Sequence, residues 1–226
     1  MVLPELTSDL VLTVVEAAAV ITSAIAGMIV AANRRMDIVG AYALACVNAF
    51  GGGTVRDLLL DNRPFYWMQH WGFLVAILAI CVPFVYSARL FRLASEVHRR
   101  SVKMDAVGLA LFTIAGTGIA LDKGTPLIVA ALMGVITGTM GGVLRDVVVN
   151  EVPDLFTPGG LYATASFAGA LAYIAAVDRG LHYGQAAAIG AAVVVVLRLL
   201  SVRLGIAVPA PHWAPKAERR DSGDDS

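Results

Sequence analysis

Long apolar segments separated by short polar connections dominate the hydropathy pattern of this chain. A helix needs about 20 apolar residues to cross the roughly 30 Å hydrocarbon core of a bilayer, and segments of that length recur along the sequence. The connections contain turn-forming stretches such as DNRP, DKGTP and NEVPD. The pattern predicts seven transmembrane helices, at approximately Leu10–Ala32, Asp37–Leu60, Trp71–Leu90, Met104–Leu121, Pro126–Asn150, Gly160–Val177 and Gly184–Leu204.

The composition favours the same class, an all-α polytopic membrane protein. Of the 226 residues, 58% are hydrophobic and 15% are charged, against about 45–50% and 25% in soluble domains. The 17 basic and 17 acidic residues balance, so no overall basic field would attract nucleic acid. The sequence contains no nucleophile motif, phosphate-binding loop or metal-ligand spacing. We therefore expect no enzymatic activity, no cofactor and no metal site.

A single transmembrane domain is expected over residues 1–205, followed by a polar, proline-rich tail at 206–226 that is predicted to be disordered. Basic residues concentrate in the connections after the first, third and seventh segments. Cytoplasmic loops carry the excess of lysine and arginine. This distribution predicts an N-terminus outside the cell and a cytoplasmic tail.

Two polar, glycine-rich stretches interrupt the apolar pattern, FGGGTVRDLL at residues 50–59 and MGGVLRDVVV at residues 140–149. Arg145 and Asp146 follow Arg56 and Asp57 by 89 positions. The same shift aligns glycines and a proline elsewhere in the two halves. The chain is therefore interpreted as a duplication of three segments, about 10–95 and about 104–178, plus a seventh helix at about 184–204.

An odd number of helices in each copy forces the two copies to insert with opposite orientations, which makes an inverted repeat. Glycines weaken a helix by roughly 1 kcal/mol each relative to alanine. Irregular backbone is tolerated at membrane depth only where it faces protein or a water-filled cavity. We expect the second and fifth helices to be broken or kinked at the glycines and to line a cavity. The residues proposed for these kinks and the cavity are Gly51, Gly52, Gly53, Gly141, Gly142, Asn48 and Thr137.

Charged side chains inside apolar segments are costly, at about 2.5–3.5 kcal/mol each on insertion scales, and so call for partners. Successive helical residues point about 100° apart, so Arg56 and Asp57 are not expected to face one another. We expect the partners of Arg56 and Asp57 on other helices, with Glu16 and Asp105 as candidates. Charges in these positions are also candidates for gating. The buried or gating charges proposed are Arg56, Asp57, Arg145, Asp146, Glu16, Asp105 and Lys123. The alternatives are that glycines serve tight helix packing, that Arg–Asp pairs hold the fold together, and that Lys123 is a charge at a helix end.

The stretches GGGTVRDLL and GGVLRDVVV, within the duplicated pattern, resemble the prokaryotic branch of the trimeric intracellular cation channels, the TRIC family. The resemblance covers the chain up to about Leu204. It implies a homotrimer in a prokaryotic plasma (inner) membrane, in contact with membrane lipids. It also implies one pore in each protomer, between the second and fifth helices kinked at their glycines, that passes potassium, sodium and other monovalent cations.

Three functions of different classes stay open from the sequence. The first is a passive, potassium-permeable cation channel. The second is a secondary transporter for glycine or another small solute, because related bacterial sequences carry that label and an arginine can receive a carboxylate. The third is a membrane scaffold in which the charged residues only connect helices.

Overall fold

The computed structural model describes residues 3–93, 102–156 and 161–206, with side chains described except at residues 3–16, 102–105 and 154. All regular secondary structure in these ranges is helical. The helices are α1 (Leu3–Asn33), α2 (Ile38–Leu59), α3 (Tyr66–Gln69), α4 (Gly72–Tyr86), α5 (Val102–Asp122), α6 (Leu127–Val148), α7 (Ala163–Asp178) and α8 (Tyr183–Leu204), with a 3₁₀ turn at Asp154–Phe156.

Each of the seven predicted segments coincides with one long helix, with α3 as a short addition before α4. Helix α4, the third long helix, ends at Tyr86 and not at the predicted Leu90. Ser87 adopts an extended backbone there, and the chain becomes helical again over 88–93. Within the described ranges, α2, α6 and α8 are long and apolar enough to span a membrane. In the other four long helices, the apolar stretches among residues with described side chains are shorter, at Ala17–Asn33, Gly72–Tyr86, Ala106–Asp122 and Ala163–Asp178. An all-helical membrane protein is therefore supported, while the count of seven spans stays a prediction.

The ends of corresponding helices have the same local geometry in the two halves. The turns after α1 and α5 place Arg35 and Gly124 at φ values of 54° and 70°, and these residues are 89 positions apart. The turns after α2 and α6 place Asp61 and Asn150 at 45° and 57°, again 89 positions apart. Backbone conformations with positive φ are uncommon for residues other than glycine. Their recurrence at one spacing therefore supports the duplication.

Contacts between the two halves place corresponding helices in opposite directions. Arg34, directly after α1, forms an ion pair with Glu151, directly after α6. Helix α2 follows α1 after a short turn and packs against it, so it begins on the face where α1 ends and finishes on the other face. Helix α6 ends on the face where α1 ends, so α2 and α6 end on opposite faces. At the centre of the molecule α2 and α6 pack directly against each other. This is the arrangement expected of an inverted repeat.

The seventh long helix makes the two halves unequal. Helix α8 packs against α5 and α7 in the second half. In the first half, α1, α2 and α4 enclose their own apolar core, with Met28, Leu44 and Ile77 fully buried. The domain limits at 1–205 stay a prediction, and residues 207–226 of the predicted tail lie outside the described ranges.

Candidate functional site

The first Arg–Asp motif forms a closed pair in the last turn of α2. Arg56 Nε donates a hydrogen bond of 2.9 Å to Asp57 Oδ1. Asn62 Nδ2 donates to the same oxygen at 3.1 Å. The side chains of Arg56 and Asp57 are 4% and 1% exposed. This pair is thus a desolvated clamp between the end of α2 and the turn that follows it.

The second motif repeats the pair at the end of α6 in a less buried form. Arg145 donates to Asp146 Oδ1 from Nε at 2.8 Å and from Nη2 at 2.6 Å. The two side chains are 17% and 9% exposed. The position that corresponds to Asn62 is Glu151, which pairs with Arg34 instead. The second carboxylate therefore lacks the amide that Asn62 supplies in the first.

The expectation that neighbouring arginine and aspartate would not face one another is wrong for both motifs. The angle between successive Cα–Cβ bonds does not limit the long arginine side chain, which folds back along the helix to the adjacent carboxylate. A nearby counter-ion is strongly favoured where both charges have lost water. The side chains of Glu16 and Asp105, expected to be partners on other helices, lie outside the described part of the structure.

The glycines of the two motifs bring α2 and α6 together. A Cβ atom at Gly52 would collide with the carbonyl oxygen of Thr137, and one at Gly141 would collide with the carbonyl oxygen of Asn48. A Cβ at Gly51 would lie 2.9 Å from the side chain of Leu144. These three glycines permit a close approach of the two helices.

The expected interruption of the helices is not found, because α2 and α6 continue as α-helices through the glycines. Gly53 and Gly142 face the arginines rather than the opposite helix. Their added Cβ atoms would lie 3.7 Å from Arg56 Nη2 and 3.8 Å from Arg145 Nη2. A bend of either helix axis stays a prediction.

Asn48 and Thr137 flank the crossing of α2 and α6 and occupy corresponding positions of the two repeats. Asn48 Nδ2 donates to the carbonyl oxygen of Ser23 at 2.7 Å. Thr137 Oγ1 donates to the carbonyl oxygen of Met133 at 2.7 Å. They are 8% and 3% exposed. Each keeps an oxygen that can accept a further hydrogen bond, the amide oxygen in one case and the hydroxyl oxygen in the other.

A large cavity of about 540 Å³ lies against this crossing. Its polar lining includes Asn48, Thr137 and the guanidinium-bearing side chain of Arg145, and apolar side chains of α1, α4 and α5 form much of the remaining wall. The presence of Arg145 places one end of this cavity near the face where α6 ends. The cavity thus brings together five of the seven residues proposed for the kinks and the cavity, and also Arg145 from the proposed charges; the five are Asn48, Gly52, Thr137, Gly141 and Gly142.

A second, small cavity of about 20 Å³ lies towards the face where α2 ends. Arg56, Asp57 and Thr54 are among its lining residues. Asp57 Oδ2 is buried and has no hydrogen-bond partner among the described residues. A cavity of this size can hold about one water molecule, and a water there could satisfy the carboxylate oxygen.

Lys123 lies apart from both cavities, exposed in the turn after α5. No ion pair to Lys123 is found in the described part of the chain, although the corresponding Arg34 is paired with Glu151. The position fits a charged residue at a helix end.

Sequence reasoning missed several side chains near the large cavity. Ser23 and Phe112 both line it. Arg198 of α8 places its guanidinium 4.7 Å from the ring centre of Tyr162, another lining residue. The charge of Arg198 inside an apolar segment was a usable signal. No property of Phe112 distinguished it from other apolar residues in the sequence.

Comparison with a family model supports both the duplication and the membrane class. The model described as "Glycine transporter" matches this chain twice, at residues 13–89 and at residues 102–178. The second match begins and ends 89 positions after the first, the shift that relates the two Arg–Asp motifs.

Relatives from two bacteria match most of the chain. The inner membrane protein YadS of Escherichia coli K12, of the UPF0126 group, is 34% identical over 191 residues, which cover 82% of this chain and 89% of YadS. A UPF0126 membrane protein of Vibrio cholerae is 33% identical over 187 residues, covering 82% of this chain and 77% of that protein.

Solved structures similar to this chain include cation channels. The TRIC trimeric intracellular cation channel orthologue from Rhodobacter sphaeroides superimposes with a TM-score of 0.78 and 31% identity, over 87% of this chain and 99% of that one. Another TRIC cation channel, solved to explain conductance, gives a TM-score of 0.80 and 27% identity over 90% and 98%. The matched families are membrane channels and transporters, not enzymes. By its twofold match to the family model and its long matches to bacterial relatives, this chain belongs to the glycine transporter family of membrane proteins, and it shares its fold with the TRIC channels.

Proposed function

We propose that this protein is a channel for monovalent cations, potassium and sodium among them, with a pore inside each protomer between α2 and α6. The observation that carries the proposal is the large cavity at the α2–α6 crossing, in a chain that shares its fold with solved TRIC cation channels. A cation leaving water requires oxygen ligands in place of its hydration shell. Asn48 and Thr137 offer such oxygens at the wall of the cavity.

The charges around the cavity are consistent with cation passage when they remain paired. Arg145 alone would present a positive charge to the cavity and would repel cations. Asp146 holds two nitrogens of this guanidinium, which neutralises the charge locally. On this proposal, Asp146 preserves the preference for cations by pairing with Arg145, and Arg56 and Asp57 act as a clamp beside the path.

The assembly proposed is a homotrimer in the inner membrane of a prokaryote, with an extracellular N-terminus and a cytoplasmic C-terminus. The likeness to a trimeric channel supports the trimer, and the inner-membrane relative supports the location. Helix α8 exposes the apolar side chains of Val196, Leu200 and Leu204. We assign this surface to contact with membrane lipids or with neighbouring protomers.

A second candidate function is secondary transport of glycine, which the description of the matching family model favours. In this alternative, Arg145 would receive the substrate carboxylate in the cavity after release from Asp146. A transporter binds its solute saturably and exposes the site alternately to the two sides of the membrane.

Current across a planar bilayer tests the channel proposal. Purified protein under a potassium chloride gradient should give discrete unitary currents that reverse near the potassium potential, with little response to added glycine. The Asp146→Asn variant should shift the reversal potential towards the chloride potential, since it leaves Arg145 uncompensated, and Arg145→Gln/Asp146→Asn should restore it. Absence of current together with saturable glycine uptake into liposomes would overturn the channel in favour of the transporter.

A further inference from the structure

The two cavities correspond to each other under the shift of 89 positions that relates the repeats. Six lining residues of the small cavity have counterparts that line the large one. Arg56 corresponds to Arg145, and Gly53 corresponds to Gly142. The remaining pairs are Val20 with Leu109, Ala49 with Gly138, Phe112 with Ser23, and Thr137 with Asn48. The small cavity is therefore the counterpart of the large one in the other half of the inverted repeat.

The counterparts differ greatly in size, at about 540 and about 20 Å³. Among the paired positions, the largest contrast in side-chain volume lies between Ser23 on α1 and Phe112 on α5. Ser23 presents a small side chain to the large cavity, and its carbonyl oxygen is held by Asn48. Phe112 packs against the apolar core formed by α1, α2 and α4. The wide half of the path thus has a serine where the narrow half has a phenylalanine.

Phe112 also stands between the two cavities. Three residues line both of them, Ala49, Phe112 and Thr137, and these form the common wall. Ala49 has a single methyl group, and the Thr137 hydroxyl is bonded to the backbone of its own helix. The ring of Phe112 is the only large side chain in this wall.

We infer that Phe112 is the apolar barrier that closes this path on the side where α2 ends, while Ser23 leaves the corresponding position open on the side where α6 ends. The inference rests on the proposed conduction path. An apolar constriction excludes ions without any charged group. Water leaves the narrow apolar space, and a hydrated ion does not enter a space that holds no water. Ion passage then requires displacement of the Phe112 ring or separation of α5 from α1, the helix of the first half against which α5 packs.

Solvent access to a cysteine in the small cavity tests the barrier without reference to current. Thr54 lines the small cavity but not the large one, so Thr54→Cys is a suitable reporter in a Cys46→Ala/Cys81→Ala background. A small, charged methanethiosulfonate reagent in detergent solution should modify this cysteine slowly when Phe112 is present. Phe112→Ser should raise the rate roughly tenfold or more, and each factor of ten corresponds to about 1.4 kcal/mol in the barrier.

Matched variants separate a barrier from a general loosening of the fold. Phe112→Leu keeps a bulky apolar group, so modification of Thr54→Cys should stay slow. Ser23→Phe should instead slow modification of an Ala26→Cys reporter, because Ala26 lines the large cavity. The inference would be overturned if the reagent modified Thr54→Cys at equal rates with phenylalanine, leucine and serine at position 112. This comparison uses variants that elute from size exclusion as the parent does.

Bilayer currents distinguish failure of the barrier from failure of the channel. Phe112→Ser should raise open probability or unitary conductance severalfold relative to the parent. Faster Thr54→Cys modification without current from any variant would support the barrier and contradict the channel. Cation currents that Phe112→Ser leaves unchanged, with unchanged modification rates, would support the channel and contradict the barrier.

Discussion

The Arg–Asp motifs differ in burial although their sequences agree. Arg56 and Asp57 have almost no contact with solvent, whereas Arg145 and Asp146 keep a partly exposed edge. Removing one partner of a buried ion pair leaves a desolvated charge, which costs about 3–5 kcal/mol, more than the pair itself contributes to stability. The same substitution should therefore have unequal effects in the two repeats.

Arg56→Gln is expected to lower the free energy of unfolding by about 3 kcal/mol or more, and Arg145→Gln by clearly less. Asp57 would lose its guanidinium inside the protein, while solvent can reach part of the Arg145–Asp146 pair. Thermal unfolding of the two variants in the same detergent measures the difference. Arg56→Gln/Asp57→Asn should recover part of the loss, because it removes the uncompensated charge. Equal destabilisation by the two single variants would contradict this account of burial.

The glycines of α2 and α6 have distinct tasks that depend on the face they occupy. Gly52 and Gly141 lie where one helix meets the backbone of the other, and Gly53 and Gly142 lie beside the arginine side chains. A leucine at Gly52 or Gly141 would collide with a backbone carbonyl group of the opposite helix. The smaller substitution to alanine is the sharper test of packing.

Gly52→Ala and Gly141→Ala are each expected to destabilise the protein by about 1–3 kcal/mol, the range for overpacking a tight contact. Gly53→Ala and Gly142→Ala are the matched controls. Their added methyl groups meet only ordinary contacts, and alanine favours the helix by up to about 1 kcal/mol. The midpoint of thermal unfolding and the monodisperse fraction in size exclusion measure the effect. A loss of stability in the controls as large as in the first two variants would argue against close approach as the reason for the glycines.

The whole molecule combines two similar halves whose corresponding helices run in opposite directions. The Arg34–Glu151 ion pair joins the halves on one face, and Lys123, the counterpart of Arg34, lies in the corresponding turn of the second half. An exposed ion pair of this kind contributes at most about 1 kcal/mol. Its value here is that it identifies which helix ends share a face.

Cysteines at the two turns should label from opposite sides of the membrane. In a Cys46→Ala/Cys81→Ala background, Lys123→Cys should react with a membrane-impermeant maleimide in intact cells, and Arg34→Cys should react only after permeabilisation. The positive-inside rule places the basic turns after α1 and α4 in the cytoplasm. Labelling of both cysteines from outside would contradict the inverted arrangement, and the opposite pattern would reverse the proposed orientation.

Hydropathy, composition and one repeated motif were sufficient to predict the positions of the seven long helices, the duplication and the family. Each depends on the order of residues along the chain: apolar runs of a given length, and similar residues at a constant shift. The same signals identified Arg56, Asp57, Arg145 and Asp146 as buried charges, since a charge inside an apolar run is visible without a structure.

The partner of each charge, the task of each glycine and the barrier between the cavities depended instead on contacts between residues far apart in sequence. The folding back of Arg56 onto Asp57 depends on side-chain reach, which helical periodicity does not describe. The close approach at Gly52 requires the carbonyl group of Thr137, 85 positions away. Phe112 is one apolar residue among many until α5 packs beside α1 and the ring meets the apolar core of the first half. A side chain becomes a barrier only through the space that surrounding helices leave around it.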